Sequence, residues 1–183
     1  MNLPGISQVL HLPVTDSTQT VARFLAEQGA PHGTLVRADR QTAGKGRLER
    51  RWVSAPGGLY VSIVLRPEFS PARLADLSLA TADAAARALR DLGGFETAIK
   101  PPNDVYAIKN GAARKICGIL AEASGNERST DWVVLGVGIN VNNKPRLGSA
   151  TSLKTAAGRA YDLDVVLAKF MIEFQLSYKE VLR

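Results

Sequence analysis

One run constrains the fold of this chain more than any other: GGLYVSIVLRP, Gly57 to Pro67. Leu59 to Leu65 are β-branched, aromatic or aliphatic apart from Ser62, and Pro67 ends them, so the run predicts a strand. Two more apolar, β-branched runs, KICGILAE (115–122) and DWVVLGVGINV (131–141), predict strands too. TLVRAD (34–39) and TAIK (97–100) predict shorter ones, the second broken by Pro101 and Pro102. Asp16 or Ser17 can cap a helix reaching about Gln28, with Val21, Phe24 and Leu25 on one face and Gly29 as the stop. Ser70 is a natural N-cap, with Pro71 at the first helical position and Gly93 as the stop. The alanine-rich body between them predicts a helix packed close against a sheet. Leu163 to Leu182 carries a wide apolar stripe, with Val165, Ile172 and Leu176 beside the main face, which predicts burial on more than one side.

The order is helix, strand, strand, helix, several strands, helix, without regular βαβ alternation. That predicts an α+β fold: a mixed, largely antiparallel sheet covered by a few helices. With 183 residues, 45% hydrophobic and 22% charged, one domain over 1–183 with its own core is expected. No apolar run approaches the ~20 residues that span a bilayer, so no membrane partner is expected. Cys117 stands alone, which leaves no disulfide framework and favours a cytoplasmic protein.

The formal charge is +6 and it is unevenly placed. Arg37, Arg40, Lys45, Arg47, Arg50 and Arg51 face only Asp39 and Glu49 in one window. Such a window is either a solvated turn or a site for an anion, whether nucleotide, acyl phosphate, nucleic acid or acidic protein. The common nucleotide motifs do not decide between them. GxxxxGK[ST] is absent, and both GxG pairs, Gly44/Gly46 and Gly136/Gly138, lack the third glycine of GxGxxG, with Glu49 and Val141 there instead. His11 and His32 are too isolated to suggest a metal site or a triad.

Four polar or glycine-rich stretches remain, each beside a strand: DSTQ (16–19), RQTAGKGRLERRW (40–52), KPPNDVY with RKICGILAE (100–106 and 114–122), and VLGVGINVNN (134–143). Alone, each reads equally as a cap, a turn or a close packing point. In this order they resemble the biotin protein ligases, relatives of the lipoate and octanoyl ligases and transferases. GKGRLERRW stands for that family's GRGRxxR-x-W, KPPND for KWPND, RKICGILAE for RKxxGILxE and GVGIN for GxGxN, after an early DST. The resemblance runs from about Thr15 to Asn143.

It implies that biotin and ATP give biotinyl-5′-AMP and pyrophosphate, and that biotin then passes to a lysine of a biotin carboxyl carrier protein. Arg47, on a loop that closes over ligand, and Lys115, on a rigid strand, would bring positive charge to carboxylate and α-phosphate as the catalytic pair. Ser17, Thr18, Gln41, Gly44, Lys45, Arg47, Lys115 and Gly118 would bind biotin, Gly118 by letting the flat ring lie on the strand. Gly44 and Gly46 would let backbone N–H groups approach an acyl phosphate. Arg50, Trp52, Lys100, Asn103 and Asn140 would bind ATP, Trp52 beside adenine. Asn103 would help hold Mg²⁺ with ATP, and Asp104 is a weaker candidate for that task. Arg51 should face solvent, and Cys117 should be a small core residue.

Lys45, Glu49 and Pro101 depart from the pattern, replacing an arginine, a small residue and a tryptophan. No winged-helix DNA-binding segment and no small C-terminal β-barrel are recognisable. DNA binding is therefore not expected, and a homodimer that covers the exposed surface is. Lipoyl or octanoyl attachment, a biotin-binding module without ligation, and a nucleic-acid patch are the competing readings.

Overall fold

The computed structural model describes residues 3–145 and 148–182. Seven strands form one sheet in the order β1-β2-β3-β7-β6-β5-β4. They are β1 (Gln8–Thr15), β2 (Thr34–Gln41), β3 (Leu59–Leu65), β4 (Glu96–Lys100), β5 (Asp104–Lys109), β6 (Ala112–Gly125) and β7 (Thr130–Ile139). Only β1 and β2 run parallel; every other pair is antiparallel. The mixed, largely antiparallel α+β sheet is thus observed. The helices are α1 (Thr18–Glu27), α2 (Leu74–Gly93), α3 (Leu153–Ala157) and α4 (Leu163–Val181).

β3 is buried at every position, because the sheet is covered on both faces there. Leu35, Ile63, Leu135 and Ile119 meet α2 and α4 in the main core, while Val36, Val64 and Val134 meet α1 on the other face. Each such side chain stabilises by about 1.5–3 kcal/mol relative to exposure. α2 buries Ala82, Ala84, Ala85, Ala86 and Ala88, the close packing its composition predicts.

Several local expectations are corrected. Ser70 and Pro71 open a short 3-10 turn, Pro71–Arg73, and Ser70 makes no side-chain cap. Gly93 is the last residue of α2, and the left-handed stop is Gly94 at φ 65°. α1 is capped by Ser17 Oγ, which accepts from the Gln19 N–H. It buries Thr18, Gln19, Ala22 and Ala26, whereas Phe24 is exposed; short side chains let the helix sit close to the sheet. α4 buries one face only, through Phe170, Phe174 and Tyr178, and leaves Val165, Ile172 and Leu176 exposed. Strand β1 went unread because Pro13 interrupts QVLHLPVT. As the edge strand of the sheet it tolerates a proline.

Candidate active site

On the α1 face of the sheet, beyond the end of α1, lies a cavity of about 420 Å³. Its floor is built from glycines. Gly118 of β6 pairs with Gly138 of β7, and Gly136 lies opposite Ser62 of β3. These bare positions are filled by side chains from elsewhere. A Cβ on Gly138 would lie 2.6 Å from Trp52 Nε1, and one on Gly118 2.9 Å from Trp52 Cζ3. The indole therefore lies flat on the Gly118/Gly138 patch, where the sequence reading set the biotin ring. Its Nε1 is buried without a hydrogen-bond partner among the described residues.

Lys115 reaches the same patch through an irregularity in β6. Positions 115 and 118 should face opposite sides of a regular strand. Here Val105 pairs with Cys117 and Tyr106 with Lys115, so Ile116 is an extra residue, a β-bulge. Ile116 and Cys117 both enter the core, and Lys115 and Gly118 both face the cavity. Burial pushes the Cys117 thiol up, which fits its expected role as a core residue. Segment 149–151 clamps the bulge: the Lys115 N–H donates to the Ser149 carbonyl and the Thr151 N–H to the Lys115 carbonyl, each at 2.9 Å. Lys115 Nζ forms an ion pair with Asp104 Oδ1 at 2.7 Å and stands 5.3 Å from the Trp52 ring centre. Asp104 thus orients the lysine.

The roof is the segment between β2 and β3. Lys45 and Arg51 pair antiparallel, and the Arg50 N–H donates to the Arg47 carbonyl at 3.1 Å. The two residues at the tip, Leu48 and Glu49, have φ of 53° and 59°. That conformation suits glycine or asparagine and costs other residues roughly 1–2 kcal/mol each. Arg47 Nη1 donates to Asn103 Oδ1 at 3.1 Å, so the tip meets the turn before β5. Asn103 Nδ2 donates to the Ile119 carbonyl at 3.1 Å; that fixes the amide with its oxygen toward Arg47.

At the other end of the cavity runs a chain of polar side chains. Gln19 Nε2 donates to Glu122 Oε2 at 2.8 Å and to the Val134 carbonyl at 3.0 Å. Ser62 Oγ donates to Gln19 Oε1 at 3.0 Å and lies 2.9 Å from Thr18 Oγ1. The Thr18 N–H donates to Gln41 Oε1 at 2.7 Å, and Gln41 Nε2 donates to Ser54 Oγ at 2.6 Å. Gln19, Ser62 and Ser54 were not singled out from sequence. Their one sequence signal is a polar residue inside or beside an apolar run.

The cavity brings together Ser17, Thr18, Gln41, Lys45, Arg47, Arg50, Trp52, Asn103, Lys115, Gly118 and Asn140. Asn140 Oδ1 accepts from Asn143 Nδ2 at 2.9 Å. Two expected members lie elsewhere. Lys100 is exposed at the end of β4, opposite Asp104 across the hairpin, and is not part of the cavity wall. Gly44 is buried behind the wall, where a Cβ would lie 2.5 Å from the Trp52 carbonyl oxygen; it closes the base of the roof. Arg51 is exposed at the rim, and its Nη2 donates to the Thr42 carbonyl at 2.7 Å. Among the described residues no group of three or more His, Cys, Asp or Glu is placed to hold a metal ion.

Comparison with known proteins agrees with this geometry. Residues 11–140 match the model of the biotin/lipoate A/B protein ligase family. The chain is 38% identical over 179 residues to the bifunctional ligase/repressor BirA of Bacillus subtilis (strain 168), covering 94% of this chain and 54% of that protein. It is 39% identical over 141 residues to the biotin–[acetyl-CoA-carboxylase] ligase of Paracoccus denitrificans, covering 74% and 55%. The chain thus spans about half the length of these curated relatives. The biotin protein ligase of Aquifex aeolicus, solved in complex with biotin and ATP, superposes with a TM-score of 0.78 at 32% identity, over 96% of this chain and 72% of that one. Motifs, cavity and fold agree: the chain belongs to the biotin/lipoate A/B protein ligase family, among its biotin protein ligases.

Proposed function

We propose that this protein is an ATP-dependent biotin protein ligase. It would form biotinyl-5′-AMP and transfer biotin to a lysine of a biotin carboxyl carrier protein. One observation carries the reading: two cations, Arg47 from the roof and Lys115 from the floor, converge on one cavity with the Thr18/Gln41 polar set at its other end. In the first step the biotin carboxylate attacks the α-phosphorus of ATP, the P–O bond to the β-phosphate breaks, and pyrophosphate leaves. Both reactants are anions, so fixed positive charge must offset their repulsion and the charge that builds on the phosphoryl oxygens. Lys115, held by Asp104, supplies a point charge from the floor. Arg47 supplies a planar fork from the roof, and Arg50 adds charge on the triphosphate side. In the second step the carrier amine attacks the acyl carbon, AMP leaves, and the amine proton passes to solvent or phosphate.

The unpartnered Trp52 N–H supports a polar ligand atom over the glycine patch. Mg²⁺ would arrive on ATP as part of the substrate, with Asn103 Oδ1, which accepts from Arg47, the side-chain oxygen offered to it. The same reading includes a homodimer through the exposed Val165, Ile172 and Leu176 of α4, with Ile172→Glu expected to give monomer in sedimentation. It also includes a cytoplasmic location; no helix among the described residues is long and apolar enough to cross a membrane. The name of the Paracoccus relative supports acetyl-CoA carboxylase as the source of the carrier. The test is incubation with biotin, ATP, Mg²⁺ and a carrier domain, followed by intact mass. Gain of one biotinyl group on the carrier is expected; an unchanged carrier, or a gain only when lipoate replaces biotin in a parallel incubation, contradicts the reading.

A further inference from the structure

Gln19 and Glu122 end two of the sequence motifs, DSTQ and RKICGILAE, yet neither carries charge to the reacting groups. They meet at 2.8 Å across 103 positions of sequence. Gln19 is buried, its carboxamide pressed onto Gly136, where a Cβ would come within 2.5 Å of Oε1. Glu122 is half-buried and reaches the outer surface beside Arg23.

The direction of every hydrogen bond here is set by chemistry. Gln19 faces two groups that can only accept, the Glu122 carboxylate and the Val134 carbonyl. Its nitrogen must therefore point to them and its oxygen inward. The inward oxygen can only accept, so the Ser62 hydroxyl proton is committed to it. Ser62 Oγ then receives the Thr18 contact as an acceptor. Gln41 Oε1 is held as an acceptor by the Thr18 N–H, and it is the other oxygen in reach of the Thr18 hydroxyl, at 3.1 Å. Whichever of the two the Thr18 proton takes, it stays within the protein, and Thr18 turns lone pairs to the cavity. Ser17 Oγ is the opposite case: it accepts from the Gln19 N–H and its own proton has no acceptor among the described residues. Adjacent residues thus offer one donor and one acceptor, the complement of a urea-type C(=O)–N–H edge.

We propose that Gln19 and Glu122 are positioning residues that fix the hydrogen-bond polarity of the ring end of the cavity, so that Thr18 meets the ligand as an acceptor and the site selects rings that carry an N–H donor. The inference rests on the biotin reading given above. With Gln19 unable to accept, the Ser62 proton is free to turn onto Thr18 Oγ1, where it competes with the ligand N–H.

The experiment is calorimetric titration of the full chain with biotin and with its cyclic-carbamate analogue, in which one ureido N–H is replaced by oxygen. Wild type should bind biotin at least ~100-fold more tightly than the analogue, since a buried acceptor then faces a lone pair. Gln19→Met should cut that ratio at least ~10-fold, and adding Ser62→Ala to Gln19→Met should restore it to within ~3-fold of wild type by removing the misdirected proton. A purely structural role predicts the reverse, a second cavity and further loss. Glu122→Lys, on the half-exposed side, gives an independent variant should Gln19→Met not fold. It offers a donor to Gln19, favours the flipped amide, and should lower the ratio ~5-fold, whereas Glu122→Gln, which keeps an acceptor, should hold it within ~3-fold. An unchanged ratio in Gln19→Met and Glu122→Lys overturns the proposal. Absence of biotin binding by wild type would instead remove the biotin reading itself.

Discussion

Lys115 stands on a strand whose next two residues, Ile116 and Cys117, are fully buried. Its backbone is clamped by segment 149–151 and its ammonium by Asp104. Arg47 stands on an exposed hairpin whose tip holds two non-glycine residues in the left-handed region, and among the described residues its side chain is tied to the body by one bond, to Asn103. Both deliver a positive charge to one cavity. The floor fixes its charge before ligand arrives, at the cost of a bulge; the roof can give its charge up, because little burial opposes opening. The proposed function needs one of each, since its site would have to admit ATP and then shield a reactive anhydride.

The sharpest way to break this contrast is at the floor. Lys115→Ala should lower adenylate formation by ~10²–10³-fold or more, the scale for loss of one fixed electrostatic group. It should also lower Tm slightly, because removing the partner leaves the half-buried Asp104 unpaired at a cost of about 1 kcal/mol; single-turnover kinetics and thermal melts read the two effects. Gly138→Val should be next. Its side chain takes the place of the indole, and overpacking of about 1–3 kcal/mol corresponds to roughly 5- to 150-fold in ligand affinity. The matched change in the roof, Gly46→Ala, meets Arg50 backbone at 3.1 Å on a segment that can shift, and should cost under ~10-fold. Arg47→Ala should lower kcat/KM for ATP and biotin by about 10-fold, the worth of one charge-assisted hydrogen bond, and leave Tm unchanged. Smallest is Glu49→Gly. Relief of about 1 kcal/mol of left-handed strain should slow hydrogen exchange in residues 45–51 by roughly 5-fold and leave β6 and β7 untouched. Equal exchange in roof and floor of the wild type would erase the distinction.

What the sequence disclosed follows the same division. Strands β2, β3, β6 and β7 and the helices α1, α2 and α4 were legible, since continuous apolar composition and capping residues are local signals. β5 carries a weaker signal, because DVYAIK is short and opens on Asn103-Asp104, a turn-like pair. That Lys115 and Gly118 share a face was not derivable from alternation; it depends on the bulge opposite Val105 and Tyr106. The resemblance assigns Trp52 to adenine; that its indole lies on the Gly118/Gly138 patch depends on tertiary packing that no local pattern encodes. The Gln19–Glu122–Ser62 chain joins residues 43 and 103 positions apart, a distance at which no local pattern operates. Lys100 belongs to the expected set only through the KPPND motif, and at the end of β4, opposite Asp104, it is exposed to solvent.

The most direct test of the central claim is biotin-dependent exchange of labelled pyrophosphate into ATP, measured without any carrier. Wild type should exchange only when biotin is present, and Lys115→Ala should reduce that exchange at least ~100-fold while remaining folded. No biotin-dependent exchange by wild type, or full exchange by Lys115→Ala, would contradict an adenylate-forming site built on this floor.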